Sequence, residues 1–191
     1  MEKQAYINML KAKLSSERFA HSLAVMETAL SLAENYAVDQ KKVWLAALLH
    51  DYAKDLSDSV LLKLARENNL LSCQVEKYQP NLLHGPVGAF LCKRDLQIKD
   101  QEILQAIYYH TTGHQDMTLL DKIVFLADLL EPERSYPWVD ELRQICAANL
   151  DKGLFFVFEQ ILQYLLHTKT LIHPLTIKAR NQLIYQRLDM K

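Results

Sequence analysis

Apolar residues recur at intervals of three and four along most of this chain, the spacing that lines them up on one face of a helix. Tyr6, Ile7, Leu10 and Leu14 mark a first helix over about 3–14. Ser15 and Ser16 offer caps for a second that runs to about Tyr36 through Phe19, Leu23, Val25, Met26, Leu30 and Leu32. Asp39 can cap a third, in which Val43, Trp44 and the run from Leu45 to Leu49 are apolar nearly all round, as in a helix sunk in a core. Ser57 or Asp58 can cap a helix over 59–70, and a short one is expected after Pro86. The segment 100–111 puts Ile103, Ile107 and His110 on one face, and 118–130 does the same with Leu120, Ile123, Val124, Ala127 and Leu130. Beyond the loop from Pro132 to Pro137, segments 138–148, 153–167 and 174–188 form a helical tail with few polar residues at inward positions, which suits packing. Glycine and proline cluster at a few places only, and there is no strand alternation, internal repeat or low-complexity tract. The pattern predicts an all-α fold and one domain over 1–191.

Composition narrows the class. Half of the 191 residues are apolar and 24% are charged. A chain of this length hides roughly 70% of its unfolded surface, so it supports a core without disulfide or metal staples. Lys and Arg number 22 against 23 Asp and Glu, a net charge of −1 with the signs interspersed. That balance excludes the electrostatic footprint of a duplex nucleic-acid or anionic-membrane partner, and any polyanionic ligand must be met locally. Cys73, Cys92 and Cys146 are odd in number and widely spaced, with no CxxC pair, so neither a disulfide framework nor a thiolate zinc site is signalled. A reducing cytosol suits them. The start, Met1-Glu2-Lys3-Gln4-Ala5-Tyr6, has no apolar leader, and no run of 18 apolar residues follows, so a soluble cytoplasmic protein is expected.

The chemistry gathers around histidines. His50 is followed directly by Asp51 at the end of the most apolar helix, in Ala46-Ala47-Leu48-Leu49-His50-Asp51-Tyr52-Ala53-Lys54. A buried carboxylate without a partner costs several kcal/mol, whereas a divalent cation compensates the charge and uses both side chains as ligands. Taken alone, such a pair is more often a satisfied core histidine beside a turn-capping aspartate. His21, in Arg18-Phe19-Ala20-His21-Ser22, and Asp128, in Phe125-Leu126-Ala127-Asp128-Leu129-Leu130, are likewise polar within apolar stretches. His84 precedes Gly85-Pro86, and His110 ends an amphipathic helix before Thr111-Thr112-Gly113, both at element ends where loops build sites. One shared metal-binding role explains them all, where the structural alternative needs several coincidences.

The order His21, His50-Asp51, Asp128 resembles the H…HD…D signature of the HD-domain metal-dependent phosphohydrolase superfamily, whose fold is an all-helical bundle. Arg18 to Ser22, His50 to Lys54, Leu83-His84-Gly85-Pro86, His110 to Gly113, Asp121-Lys122 and Leu126-Ala127-Asp128 with Glu131-Pro132 resemble one branch, the YqeK-type bacterial symmetrical diadenosine tetraphosphatases. The resemblance covers about 18–134 as a metal-binding core and leaves 138–191 as a C-terminal helical extension. It implies that His21, His50, Asp51 and Asp128 bind one metal and that Asp51 bridges to a second held by His84 and His110. The nitrogen and oxygen donors suit iron, manganese, cobalt or zinc, and the resemblance favours two iron ions. It implies hydrolysis of diadenosine tetraphosphate to two ADP by a metal-bridging hydroxide, with Asp51, Lys54 and Arg18 in the catalytic machinery.

Arg18, Lys54 and Arg134, with Lys122 as a weaker candidate, are the cations available to a polyphosphate. Arg18 lies three residues before His21, on the same helix face, and Lys54 closely follows the His-Asp pair, so these two are the preferred anchors. Thr111, Thr112 and the Gly113 amide are neutral donors. His114 stands where many relatives of that branch would carry a permanent cation, and a substrate contact is expected of it. Tyr136 and Trp138, flanking Pro137, are the candidates for base stacking, whereas Tyr108, Tyr109 and Phe125 read as packing. His167 and His173 lie in the tail without evident partners and read as structural. The partner expected is a small dinucleoside polyphosphate or another nucleotide, and the apolar tail permits a homodimer. Competing readings are another HD activity, such as a nucleotidase or alarmone hydrolase, and a non-enzymatic nucleotide-binding or ribosome-assembly protein. A cyclic dinucleotide phosphodiesterase is disfavoured, since the only Tyr-Pro pair, Tyr136-Pro137, follows Ser135 where that branch has glycine.

Overall fold

The computed structural model describes residues 2–189, and among these all regular structure is helical. In chain order the helices are α1 (Lys3–Lys13), α2 (Ser16–Ala33), α3 (Gln40–Leu49), α4 (Asp58–Glu67), α5 (Val75–Tyr78), α6 (His84–Asp95), α7 (Gln101–Tyr109), α8 (Leu119–Leu130), α9 (Val139–Ala148), α10 (Leu150–His167) and α11 (Pro174–Asp189). A 3₁₀ turn over Pro80–Leu83 leads into α6. The caps follow side-chain chemistry. Ser15 accepts from the Arg18 N–H, Asp39 from Lys41, and Thr118 forms a reciprocal capping box with Asp121 at the start of α8.

Several boundaries differ from the sequence expectation for identifiable reasons. The helix expected after Pro86 already starts at His84, because a proline in the first turn lacks an N–H that would have had no intrahelical partner there. α10 begins at Leu150 and not at Gly153, since Asn149 accepts from the Lys152 N–H and caps it. The segment expected to run to 70 stops at Glu67, where Asn69 takes a positive φ of 55°. The short α5 and the 3₁₀ turn carry too few residues to show a helical period.

α3 is the central element. Val43, Trp44 and Ala46 through Leu49 are buried, and the helix packs between α2, α7 and α8. Each fully buried leucine here contributes about 1.5–3 kcal/mol of transfer free energy, so the register of α3 is strongly held. That register fixes the turn carrying His50 and Asp51. α2 packs on α3 and α8, and α6 packs on α7, so the helices bearing the remaining candidate ligands meet at the same end of α3.

The tail joins the core by polar as well as apolar contacts. α10 packs on α8, α9 and α11. The Thr176 hydroxyl of α11 donates to the Thr112 carbonyl at 3.0 Å. Gly113 has φ +64°, and a Cβ there would lie 2.6 Å from the Phe158 ring of α10. His173 is not without partners, as its sequence setting had suggested: its Nε2 lies 3.2 Å from Glu76 Oε1 and 3.3 Å from Cys73 Sγ. Those partners sit 97 and 100 residues away along the chain, beyond the reach of any local pattern.

Candidate metal centre

Asp51 is the focus. Its Oδ2 lies 3.5 Å from His50 Nε2 and 3.7 Å from His21 Nε2, while its Oδ1 lies 3.3 Å from His84 Nε2 and 3.5 Å from His110 Nε2. Asp128 Oδ1 joins the first group, 3.0 Å from His21 Nε2 and 3.9 Å from His50 Nε2. One carboxylate thus faces a pair of imidazoles with each oxygen. The four rings come from α2, the turn after α3, the start of α6 and the turn after α7, and Asp128 comes from α8.

The other ring nitrogens are committed to the scaffold. His50 Nδ1 donates to the Ala47 carbonyl and His110 Nδ1 to Ile107, each at 2.7 Å, and His84 Nδ1 donates to Asn81. His21 Nδ1 donates to Glu131 Oε1 at 3.3 Å. A carbonyl or carboxylate oxygen can only accept, so each ring carries its proton on Nδ1 and turns a bare Nε2 lone pair inward, as metal-ligating histidines do. His84 Nε2 and His110 Nε2 then stand 2.9 Å apart with no proton between them, and His50 Nε2 is buried without a hydrogen-bond partner. Lone pairs so close repel, and a buried orphan acceptor costs about 1–3 kcal/mol. Divalent cations remove both costs, so the donor set fits the metal that the sequence implied.

Electrostatics point the same way. Burial by itself would raise the Asp51 carboxyl, but positive charge on its His50, His110 and His84 side, the place a cation would take, holds it well below the usual carboxylate range. Asp128 is likewise held low against its burial by His21, His50 and Arg134. Burial pushes His84 down to about 4, so it is neutral and free to ligate at pH 7.

Three of the expected cations surround the centre. Arg18 Nη1 contacts Asp51 Oδ2 at 2.7 Å, and Arg134 Nη2 contacts Asp128 Oδ1 at 2.6 Å. Lys54 Nζ lies 3.4 Å from His84 Nε2, and its burial lowers the amine pKa. The Thr111 hydroxyl is 3.1 Å from both His84 Nε2 and His110 Nε2. Arg18, His21, Glu131 and Arg134 line a groove of about 540 Å³ that opens beside the centre. Tyr136 and Trp138 stack with centroids 4.8 Å apart and planes 9° from parallel, and with Leu129 they line an apolar cavity of about 630 Å³.

Other candidates are engaged elsewhere. Lys122 pairs with Asp151 at 2.6 Å. His114 is buried, with Nε2 3.1 Å from Asp121 Oδ2 and Nδ1 accepting from the Asp116 N–H. Its hydrogen bonds bind it to the cap of α8. The Thr112 hydroxyl donates to the Gly113 carbonyl, and Gly113 serves the packing against Phe158. A residue without an assigned role in the sequence reading, Glu131, emerges as an orienting group: it is buried, holds His21 Nδ1, and receives Arg134 Nε at 3.3 Å. Its place directly after the helix of Asp128 was the available signal.

Residues 18–133 match the family model described as HD domain. A protein of Halalkalibacterium halodurans named bis(5'-nucleosyl)-tetraphosphatase, symmetrical, is 37% identical over 187 residues, covering 98% of this chain and all of its own length. A protein of the same name from Bacillus subtilis is 35% identical over 185 residues, or 96% of this chain and 98% of that protein. Among solved structures, a predicted HD superfamily hydrolase involved in NAD metabolism from Clostridium acetobutylicum superposes with a TM-score of 0.93 at 35% identity, over 97% of this chain and 98% of the other. No helix among the described residues is long and apolar enough to cross a membrane. With the full-length match added to the clustered ligands, this chain belongs to the HD domain family, in the group of the symmetrical bis(5'-nucleosyl)-tetraphosphatases.

Proposed function

We propose that this protein is a dinuclear metal-dependent hydrolase that splits diadenosine tetraphosphate symmetrically into two ADP. The observation that carries the reading is Asp51, whose Oδ2 faces His21 and His50 while its Oδ1 faces His84 and His110. The names borne by the full-length relatives supply the substrate. His21, His50, Asp51 and Asp128 would hold one cation, and Asp51, His84 and His110 a second. Divalent ions bound there supply Lewis acidity, lowering the pKa of water and neutralising phosphate charge. An all nitrogen and oxygen donor set suits iron, with manganese, cobalt and zinc as competitors.

The chain's own residues orient the polyphosphate. Arg18 and Arg134 stand on the two ligand carboxylates with further N–H groups available at the groove, where they meet phosphate oxygens as charge-assisted donors. Lys54, lowered in pKa by burial, and the Thr111 hydroxyl flank the His84 and His110 side. Water attacks one of the two inner phosphorus atoms, the central anhydride P–O bond breaks, and the water's elements are shared between two ADP products. The stacked Tyr136 and Trp138 beside their apolar cavity give one adenine a π-face to rest on.

Anaerobic purification with metal analysis, followed by chromatography of the products from diadenosine tetraphosphate, tests this in wild type and Asp51→Ala. The expected result is about two metals per chain with ADP as sole product, and loss of both in the variant. Metal-loaded protein that spares dinucleoside polyphosphates but hydrolyses a nucleoside monophosphate or a guanosine alarmone would overturn the substrate assignment. Nucleotide binding without turnover at full metal loading would favour a binding role.

A further inference from the structure

A second cluster of donor side chains lies outside this centre and uses none of its residues. Cys73, in the turn before α5, Glu76 in α5 and His173 just ahead of α11 bring a thiol, a carboxylate and an imidazole together, with ligand atoms all within 4.8 Å of one another. His173 Nε2 stands 3.3 Å from Cys73 Sγ and 3.2 Å from Glu76 Oε1. A tetrahedral zinc ion with bonds of about 2.0 Å to nitrogen and oxygen and 2.3 Å to sulfur sets ligand separations of roughly 3.3–3.6 Å, close to these values. Glu76 and His173 are both buried, at 3% and 4% exposure, and the imidazole is turned toward the other two groups.

The surroundings hold the carboxylate as a second layer would. Glu76 Oε2 accepts from the Ser72 and Cys73 N–H groups at 2.6 and 3.2 Å, and Oε1 accepts from the Ser72 hydroxyl at 2.7 Å. Burial would raise the Glu76 pKa, but these bonds and His173 keep it below the ordinary glutamate value, so the group is anionic at neutral pH. His173 Nδ1 accepts from the Leu175 N–H at 3.2 Å, which places the ring proton on Nε2, between sulfur and oxygen. The imidazole proton thus occupies the point on which the three donors converge, the place a cation would take.

We propose that Cys73, Glu76 and His173 form a separate site for one borderline divalent cation, zinc above all, with water completing the tetrahedron, and that it fastens the start of α11 to the 72–76 turn. The mixed thiolate, imidazole and carboxylate donors select zinc over magnesium or calcium. On binding, the thiol loses its proton to solvent and the imidazole proton moves from Nε2 to Nδ1, so the ring stays neutral. The Leu175 N–H, a first-turn donor of α11, turns to water. The fastening reaches toward the other centre, because α11 also holds Thr112, two residues from His110, through the Thr176 hydroxyl.

Cobalt(II) substitution reads this site without reference to turnover. A thiolate on cobalt gives an intense near-ultraviolet charge-transfer band that the nitrogen and oxygen donors of the His/Asp centre cannot produce. The band is expected in wild type and lost in Cys73→Ser, with helical circular dichroism retained. No band at saturating cobalt, or a band that survives in Cys73→Ser, would overturn the site. Wild-type alkylation gives an independent readout should the variant misfold. Cys92 and Cys146 are buried with thiol pKa values pushed up by burial, so Cys73 is the thiol that iodoacetamide reaches. Zinc at about ten times its dissociation constant is expected to slow that reaction about tenfold, and an unchanged rate would overturn the proposal.

Discussion

Glu131 shows how much of the chemistry at this centre is set by residues that would touch no metal. Its Oε1 fixes the His21 ring through Nδ1 and its other oxygen accepts the Glu133 N–H, so the charge that orients His21 is itself held by backbone. Glu131→Gln preserves the shape and removes the charge. It is expected to lower metal affinity or kcat/KM by about 10- to 100-fold, as loss of an orienting partner does, while leaving the unfolding midpoint of the chelated protein close to wild type. Metal titration with a competing chelator measures the first effect. Wild-type affinity in the variant would mean that His21 is oriented by packing alone. At this scale the sequence was informative where residue type is distinctive: His21, His50, Asp51, His84, His110 and Asp128 all converge. It was uninformative for Glu131, because an acidic residue before proline at a helix end has many ordinary uses, and for His114, whose role as a partner of Asp121 depends on a fold-dependent contact.

Helix placement followed from periodicity, and the way the helices fit together followed from small residues that periodicity does not weigh. α6 approaches α7 so closely that a Cβ on Gly85 would sit 2.6 Å from the Tyr108 carbonyl oxygen and 3.3 Å from that of Ile107. Both are backbone atoms, and that of Ile107 also accepts from His110 Nδ1, so they cannot swing aside as a side chain would. Gly85→Ala therefore has to push α6 away from α7, at an overpacking cost of about 1–3 kcal/mol. The displaced helix begins at His84, so the variant is expected to lose the His84 and His110 metal while keeping more of the His21 and Asp128 one. Metal analysis beside a thermal melt tests this. A destabilised protein with full metal content would show that the turn of His84 moves independently of its helix. The sequence places this helix after Pro86, whereas Gly85 and Pro86 lie in its first turn: proline is compatible with that turn, and glycine is what lets it touch α7.

The whole molecule couples its stability to the centre it encloses. The long-range pairing of α2, α3, α6, α7 and α8 gathers six donors that water would otherwise solvate, and the unfolded chain has no such site. Ions that bind only the folded state add about 4 kcal/mol at a thousandfold excess over their dissociation constant. At about 2–4 °C per kcal/mol for a chain of this size, chelation is expected to lower the melting temperature by roughly 8–16 °C. The chelated protein then exposes its proton chemistry. Burial pushes His84 from the ordinary 6.5 down to about 4, so between those values the unfolded chain takes up a proton that the folded one refuses. Stability contributed by keeping this ring neutral is present above 6.5 and falls by up to about 3 kcal/mol as the pH drops to 4. Asp51 and Asp128 act in a lower window: both are held below the ordinary 3.8, so their contribution is present above that value and is lost only at more acid pH. Urea unfolding in EDTA at pH 7, 5.5 and 4.5 should therefore show a steadily falling midpoint well before the carboxylates titrate. A midpoint that stays level from pH 7 to 4.5 would mean that the chelated centre opens enough to hydrate His84, and that the cations shape the cavity as well as fill it.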